Sequence, residues 1–179
     1  MTVSMEETPS DVMVLGAIKG GAKKFDKIKN KTKIDPEELN QILERLENRG
    51  LIRVETKKGL FGHKVEMSVT EKGEKEMQER IHELEGNWNQ MNTLLKSGDK
   101  QKLQQYMDDN KSILPTMFFF GIIDMIMFST MIGFLGSQMT DYMPADQIPE
   151  STEGGGDTGG GDAGGGDTGD GGFDIDIGF

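Results

Sequence analysis

Apolar positions recur at helical spacing through the first fifty residues and then switch to alternation. Thr8-Pro9-Ser10-Asp11 has the composition of a helix start: an N-cap hydroxyl, proline at the first helical position and an acid in the first turn. The pattern predicts a helix from there to Lys19, closed by Gly20-Gly21, and a short second helix over Lys23 to Asn30 that buries Phe25 and Ile28. Asp35-Pro36-Glu37-Glu38 repeats the start signal. Leu39, Ile42, Leu43 and Leu46 then mark the buried face of a third helix that ends at Gly50. Beyond it Ile52 and Val54, then Val65, Met67 and Val69, alternate with polar residues, as in two strands; the intervening Lys57 to Lys64, with its two glycines, reads as the hairpin loop.

Three helices followed by a hairpin is the order of a winged helix. The stretch 12–76 resembles winged-helix regulators of the MarR and PadR type. Leu46-Glu47-Asn48-Arg49-Gly50-Leu51-Ile52 and Val69-Thr70-Glu71-Lys72-Gly73 are similar to that family's two signature segments. The resemblance implies DNA binding as a dimer, with the third helix in the major groove and the wing against the backbone.

From Glu71 the period becomes 3.5. Met77, Ile81, Leu84, Trp88, Met91 and Leu95 form a seam about three heptads long, which predicts a coiled-coil dimerisation helix over 73–97. Ser97-Gly98-Asp99 interrupts it. A short amphipathic helix over 99–111 follows, with Leu103, Tyr106 and Met107 on one face.

The segment 113–137 is the most apolar of the chain, and from Met117 to Leu135 its one ionisable residue is Asp124. As a single helix those residues span about 28 Å, near the ~30 Å of a hydrocarbon core. Energy alone does not decide insertion. Each central Ile, Leu or Phe contributes about −0.3 to −0.6 kcal/mol, whereas one central Asp costs about 2.5–3.5 kcal/mol. Lysines on the near side only, and a stripe of Gly121, Ser129, Gly133 and Ser137, favour a single-pass membrane span with the N-terminal domain in the cytoplasm. The alternative is a soluble dimerisation helix and a cytoplasmic protein.

Charge separates the chain into two parts. Residues 1–111 hold all 20 Lys and Arg and 20 of the 31 Asp and Glu, so the net charge of −11 belongs to 112–179. The acidic balance of the whole chain therefore does not argue against nucleic-acid binding by the head. Residues 140–179 read as a disordered acidic tail built on GGGDT-like repeats, ending in an alternating Phe173 to Phe179 segment suited to adding to a partner's sheet. No secretory signal opens the chain.

Cysteine is absent, and His63 and His82 have no nucleophile or ligand set around them, so no catalytic residue, metal site or cofactor is expected and the protein is not read as an enzyme. DNA binding requires cations against phosphates and polar side chains at base edges. Lys23, Lys24, Lys27, Lys29, Lys31 and Lys33 crowd the second helix and the turn after it, and Lys57, Lys58, His63 and Lys64 occupy the wing. Asn40, Gln41, Arg45 and Asn48 lie off the apolar face of the third helix as candidate base readers. Against them stand Asp35, Glu37, Glu38, Glu44 and Glu47 on that helix.

The fold expected is mainly α with a small β-hairpin. It comprises a winged helix over 8–72, the coiled-coil helix, the amphipathic helix, the apolar helix and the tail. The function expected is that of a dimeric, membrane-anchored DNA-binding transcriptional regulator. The alternative is an adaptor that does not bind DNA and recruits proteins through its head and tail.

Overall fold

The computed structural model describes residues 8–145. Helix α1 runs Pro9–Lys19, α2 Phe25–Thr32 and α3 Pro36–Asn48, followed by strands β1 (Ile52–Gly59) and β2 (Gly62–Val69) and the long helix α4 (Glu71–Ser97). The start signals act as written at α3, where the Asp35 carboxylate accepts from the Glu37 amide at 2.9 Å. At α1 the Thr8 hydroxyl instead donates to Asp11 at 2.8 Å. The strands pair antiparallel in a register from Ile52↔Val69 to Gly59↔Gly62. The expected eight-residue loop is therefore a two-residue tip, Leu60-Phe61, because pairing continues through the lysines.

The helix α3 to β1 turn and the start of α4 meet in one junction. The Thr70 amide donates to the Leu51 carbonyl at 3.0 Å, and the Thr70 hydroxyl donates to the Gly50 carbonyl at 2.6 Å. The same hydroxyl oxygen caps α4 by accepting from the Gly73 amide at 3.1 Å. Gly50 has φ +71°, a conformation that favours glycine. A Cβ at Gly73 would collide with the Leu51 carbonyl.

Two apolar cores result. The first packs α1, α2, α3 and the base of the hairpin around Leu15, Ile28, Leu39, Ile42, Leu46 and Leu51, with Met77 of α4 closing it. The second lies along the distal half of α4. Leu84, Trp88 and Met91 are covered there by Leu103 and Met107 of α5 (Lys100–Asp109) and by residues further along the chain. The heptad seam is thus divided: Met77 and Ile81 pack against the winged helix, and Leu84, Trp88, Met91 and Leu95 against the chain's own C-terminal helices.

The apolar segment is not one helix. It folds into α6 (Leu114–Phe119) and α7 (Met125–Leu135), separated by a turn in which Gly121 has φ +67°. Asp124 is the N-cap of α7, its carboxylate accepting from the Met127 amide at 2.9 Å. The charge that opposed insertion is the group that starts a helix. Eleven residues of α7 extend only about 17 Å, against ~30 Å of hydrocarbon. No helix among the described residues is long and apolar enough to cross a membrane, so the expected single-pass span and the localisation built on it are overturned. The small-residue stripe falls apart with it, since Gly121 lies in the turn and Ser129 and Gly133 in α7.

Helix α6 returns to the head. The Thr116 hydroxyl donates to the Pro9 carbonyl at 3.2 Å, and Phe120 rests on Gly16, where a Cβ would strike its ring. Tyr142 and Met143, placed by the sequence in the tail, are buried in the second core. The rest of that segment from 146 on, including Phe173 to Phe179, lies outside the described residues.

Asp124→Leu distinguishes the two architectures. A span gains from the loss of the charge, whereas the capped helix loses about 1 kcal/mol of stability. Urea unfolding followed by the fluorescence of Trp88, the single tryptophan, reads this directly, and an unchanged or raised midpoint contradicts the capping role.

Candidate nucleic-acid interface

Helices α2 and α3 form the helix-turn-helix. Lys33 ends α2 in the left-handed region at φ 60°, its amide bonded to the Lys29 carbonyl at 2.8 Å, and the chain re-enters a helix two residues later at the Asp35 cap. Leu39, Ile42, Leu43 and Leu46 turn one face of α3 into the core. Asn40, Gln41 and Asn48 are left exposed, where they were expected.

Arg45 is placed differently. Its guanidinium grips the Asp11 carboxylate through both forks, Nη2 to Oδ1 at 2.5 Å and Nε to Oδ2 at 3.3 Å. Asp11 is 1% exposed, so the pair ties α1 to α3 in a setting where a lone carboxylate is costly. The hydrogen bond to Asp11 also raises the proton affinity of Arg45. Arg45 is accordingly a structural group and not an available base reader. Arg49, next on the helix, donates to Glu76 of α4 at 2.9 Å. With both arginines engaged by carboxylates, the exposed side of α3 carries Asp35, Glu37, Glu38, Glu44 and Glu47 around its neutral readers.

The cations gather elsewhere. Lys23, Lys24, Lys27, Lys31 and Lys33 are exposed and Lys29 is half-buried. The hairpin is tied to this group at its base, where the Met67 amide donates to the Lys23 carbonyl at 2.9 Å. In the ribbon, Lys57 stands opposite Lys64, and Lys58 opposite His63; all four are exposed. Glu66 accepts from Lys57 at 2.9 Å. That hydrogen bond is the main reason the Glu66 carboxyl is held below its usual range, and the charges of Lys23 and Lys24 act in the same direction. Its reciprocal raises Lys57. Lys23 and Lys24, just before α2, and Lys57 of the wing thus act on one carboxylate. Sequence reasoning did not single out Leu60 and Phe61, although two large apolar residues between Gly59 and Gly62 signal an unusual loop.

This architecture is that of a winged helix-turn-helix. Residues 10–96 match the family model described as HxlR-like helix-turn-helix, in agreement with the helix-turn-helix and hairpin of the head. The resemblance to winged-helix regulators holds at that level. No curated protein and no solved structure matches the chain.

Replacing Arg45 with Ala strands a buried carboxylate and should cost about 2–3 kcal/mol in urea unfolding, with Lys restoring only part because it lacks the fork. Asn40→Ala and Gln41→Ala, exposed on the same helix, should stay within about 0.5 kcal/mol. Equal effects at the three positions contradict the structural assignment of Arg45.

Proposed function

We propose that the protein is a DNA-binding transcription regulator whose contact with duplex DNA is carried by the lysines of α2 and the wing. The observation that carries this reading is the continuity of cations from Lys23 and Lys24, beside Glu66, into Lys57, Lys58, His63 and Lys64 on an HxlR-like head. Lysines in those positions face phosphates, and Asn40, Gln41 and Asn48 are the side chains able to read base edges. The carboxylates of α3 repel phosphate, which shifts affinity onto the lysines and limits how deeply the helix enters the groove. The same carboxylates favour the second reading, an adaptor whose head binds a protein.

A dimer is part of this proposal, but the surface differs from the seam expected. Leu84, Trp88 and Met91 are buried within the chain, so a lysine at Leu84 would disrupt the second core before it separated two subunits. Away from the wing, the large apolar side chains left exposed among the described residues are on α7, where Ile126 is 78% and Phe134 37% exposed, and no charged residue lies from Met125 to Leu135. A second copy, presenting the same uncharged face, is the partner that costs no desolvation of charge.

Binding of the full chain to sheared duplex DNA should fall steeply with salt, by about 0.9 log units per log unit of salt for each phosphate contacted. Replacing Lys23, Lys24 and Lys27 with Gln should flatten that slope by about two to three. Absent or salt-independent binding at ~50 mM salt supports the adaptor instead.

Sedimentation velocity should find a dimer for the wild type, with Ile126→Glu weakening association at least about tenfold while leaving the fold intact. A monomeric wild type, or a dimer indifferent to this change, removes the α7 interface.

A further inference from the structure

The wing ends in a feature that folding does not require. From Glu55 on β1 to Val65 on β2 every residue is exposed, so the outer ribbon stands free of the domain by about 15 Å, at ~3.4 Å per residue. At its tip Leu60 is 99% and Phe61 101% exposed. Together with Val65 they are three of the five large hydrophobic residues exposed among the described residues. Apolar side chains as exposed as Leu60 and Phe61 bury no surface and so give the fold no stability by burial. Behind the tip, past the Gly59 and Gly62 pair, stand Lys57, Lys58, His63 and Lys64, with no acid among them. Glu66 engages Lys57, while Lys58 and Lys64 have no ion pair among the described residues.

We propose that the wing tip is an apolar wedge: Leu60 and Phe61 enter the minor groove of a duplex and press between neighbouring base pairs, while Lys58 and Lys64 neutralise the flanking phosphates. This rests on the DNA-binding reading given above. The occupant must offer negative charge at the sides and an apolar interior at the centre, and a base-pair step between two phosphate strands does so. A lipid surface offers the same two qualities in one plane. The cations here are not confined to one plane, since they continue from the tip down the ribbon to Lys23 and Lys24 at its base. A duplex is able to meet both ends of that line. The wedge adds selectivity without hydrogen bonds, because pyrimidine–purine steps unstack most readily.

The test uses the full chain, sheared duplex DNA, and a short duplex carrying 2-aminopurine beside a TA step. Wild type should bind and raise the 2-aminopurine fluorescence. Leu60→Ser with Phe61→Ser should abolish the rise and weaken binding about tenfold, with the salt slope unchanged because no cation is lost. Lys58→Gln with Lys64→Gln should lower the slope by about two and keep the rise at saturation. Both tip residues are solvent-exposed, so the double variant should keep the wild-type thermal unfolding curve. DNA binding and fluorescence unaffected by the tip substitutions overturn the wedge alone and leave the regulator reading standing. So does tip-dependent binding to vesicles of equal parts phosphatidylserine and phosphatidylcholine alongside tip-independent DNA binding. A wild type that binds no duplex at low salt ends both readings.

Discussion

The Leu51 carbonyl holds the head together. It accepts from the Thr70 amide at the point where the hairpin closes, and it lies so near Gly73 that no side chain fits between. Everything on either side inherits its direction from this approach. Gly50, in the left-handed region, turns the chain out of α3 so that Ile52 begins β1. Thr70 ends β2 and caps α4 with one hydroxyl group. Lys72 adds a bond to the Arg49 carbonyl at 2.9 Å, satisfying the C-terminus of α3. The two sequence segments that resemble regulator signatures are therefore two halves of one contact. A threonine is needed there for its hydroxyl and a glycine for its lack of a Cβ.

Buried electrostatics redistribute what composition suggests. Counted along the sequence, α3 balances part of its acid with Arg45 and Arg49, but both guanidinium groups are engaged by carboxylates, one by Asp11 of α1 and the other by Glu76 of α4. Lys19 and Glu74 make a similar link between α1 and α4 at 2.7 Å, though in the open, where such a pair contributes little. What the helix shows outward is amide and carboxylate. The lysines lie on α2 and the ribbon, so the head's attraction for an anion is centred beside α3 and not on it.

The head was legible because its elements have local causes: caps at Asp35 and Thr70, glycine stops, and a change of period at Gly50. The hairpin loop is shorter than its composition suggests, because lysine and glycine are weak strand formers and cross-strand pairing overrides that preference. The 3.5 period of α4 was real, yet it records only that one stripe is buried. Helices from the same chain and a helix from a second chain satisfy it equally, and here Leu103, Met107 and Phe128 do so. The apolar segment misled for a related reason. Hydropathy adds residues without regard to breaks, while Gly121 followed three residues later by Asp124 is a stop and a start. The Asp11–Arg45 pair, between residues 34 apart, had no local signal at all.

The two exposed apolar surfaces among the described residues differ in chemistry, and that difference is why different partners are proposed for them. At the wing, Leu60 and Phe61 are backed by cations, which suits a polyanion; on α7, Ile126 and Phe134 have no charge near them in the helix, which suits a like surface. They belong to different cores, the wing to the first and α7 to the second. Helix α4 runs through both, and α6 clamps them by the Thr116 bond to Pro9 and by Phe120 against Gly16. In the dimer proposed here the interface and the lysines proposed to meet DNA are thus joined by packed, hydrogen-bonded elements instead of a linker. The separation of two wings is then set by the fold, and it must correspond to a whole number of helical turns of DNA for both heads to engage one face of a duplex.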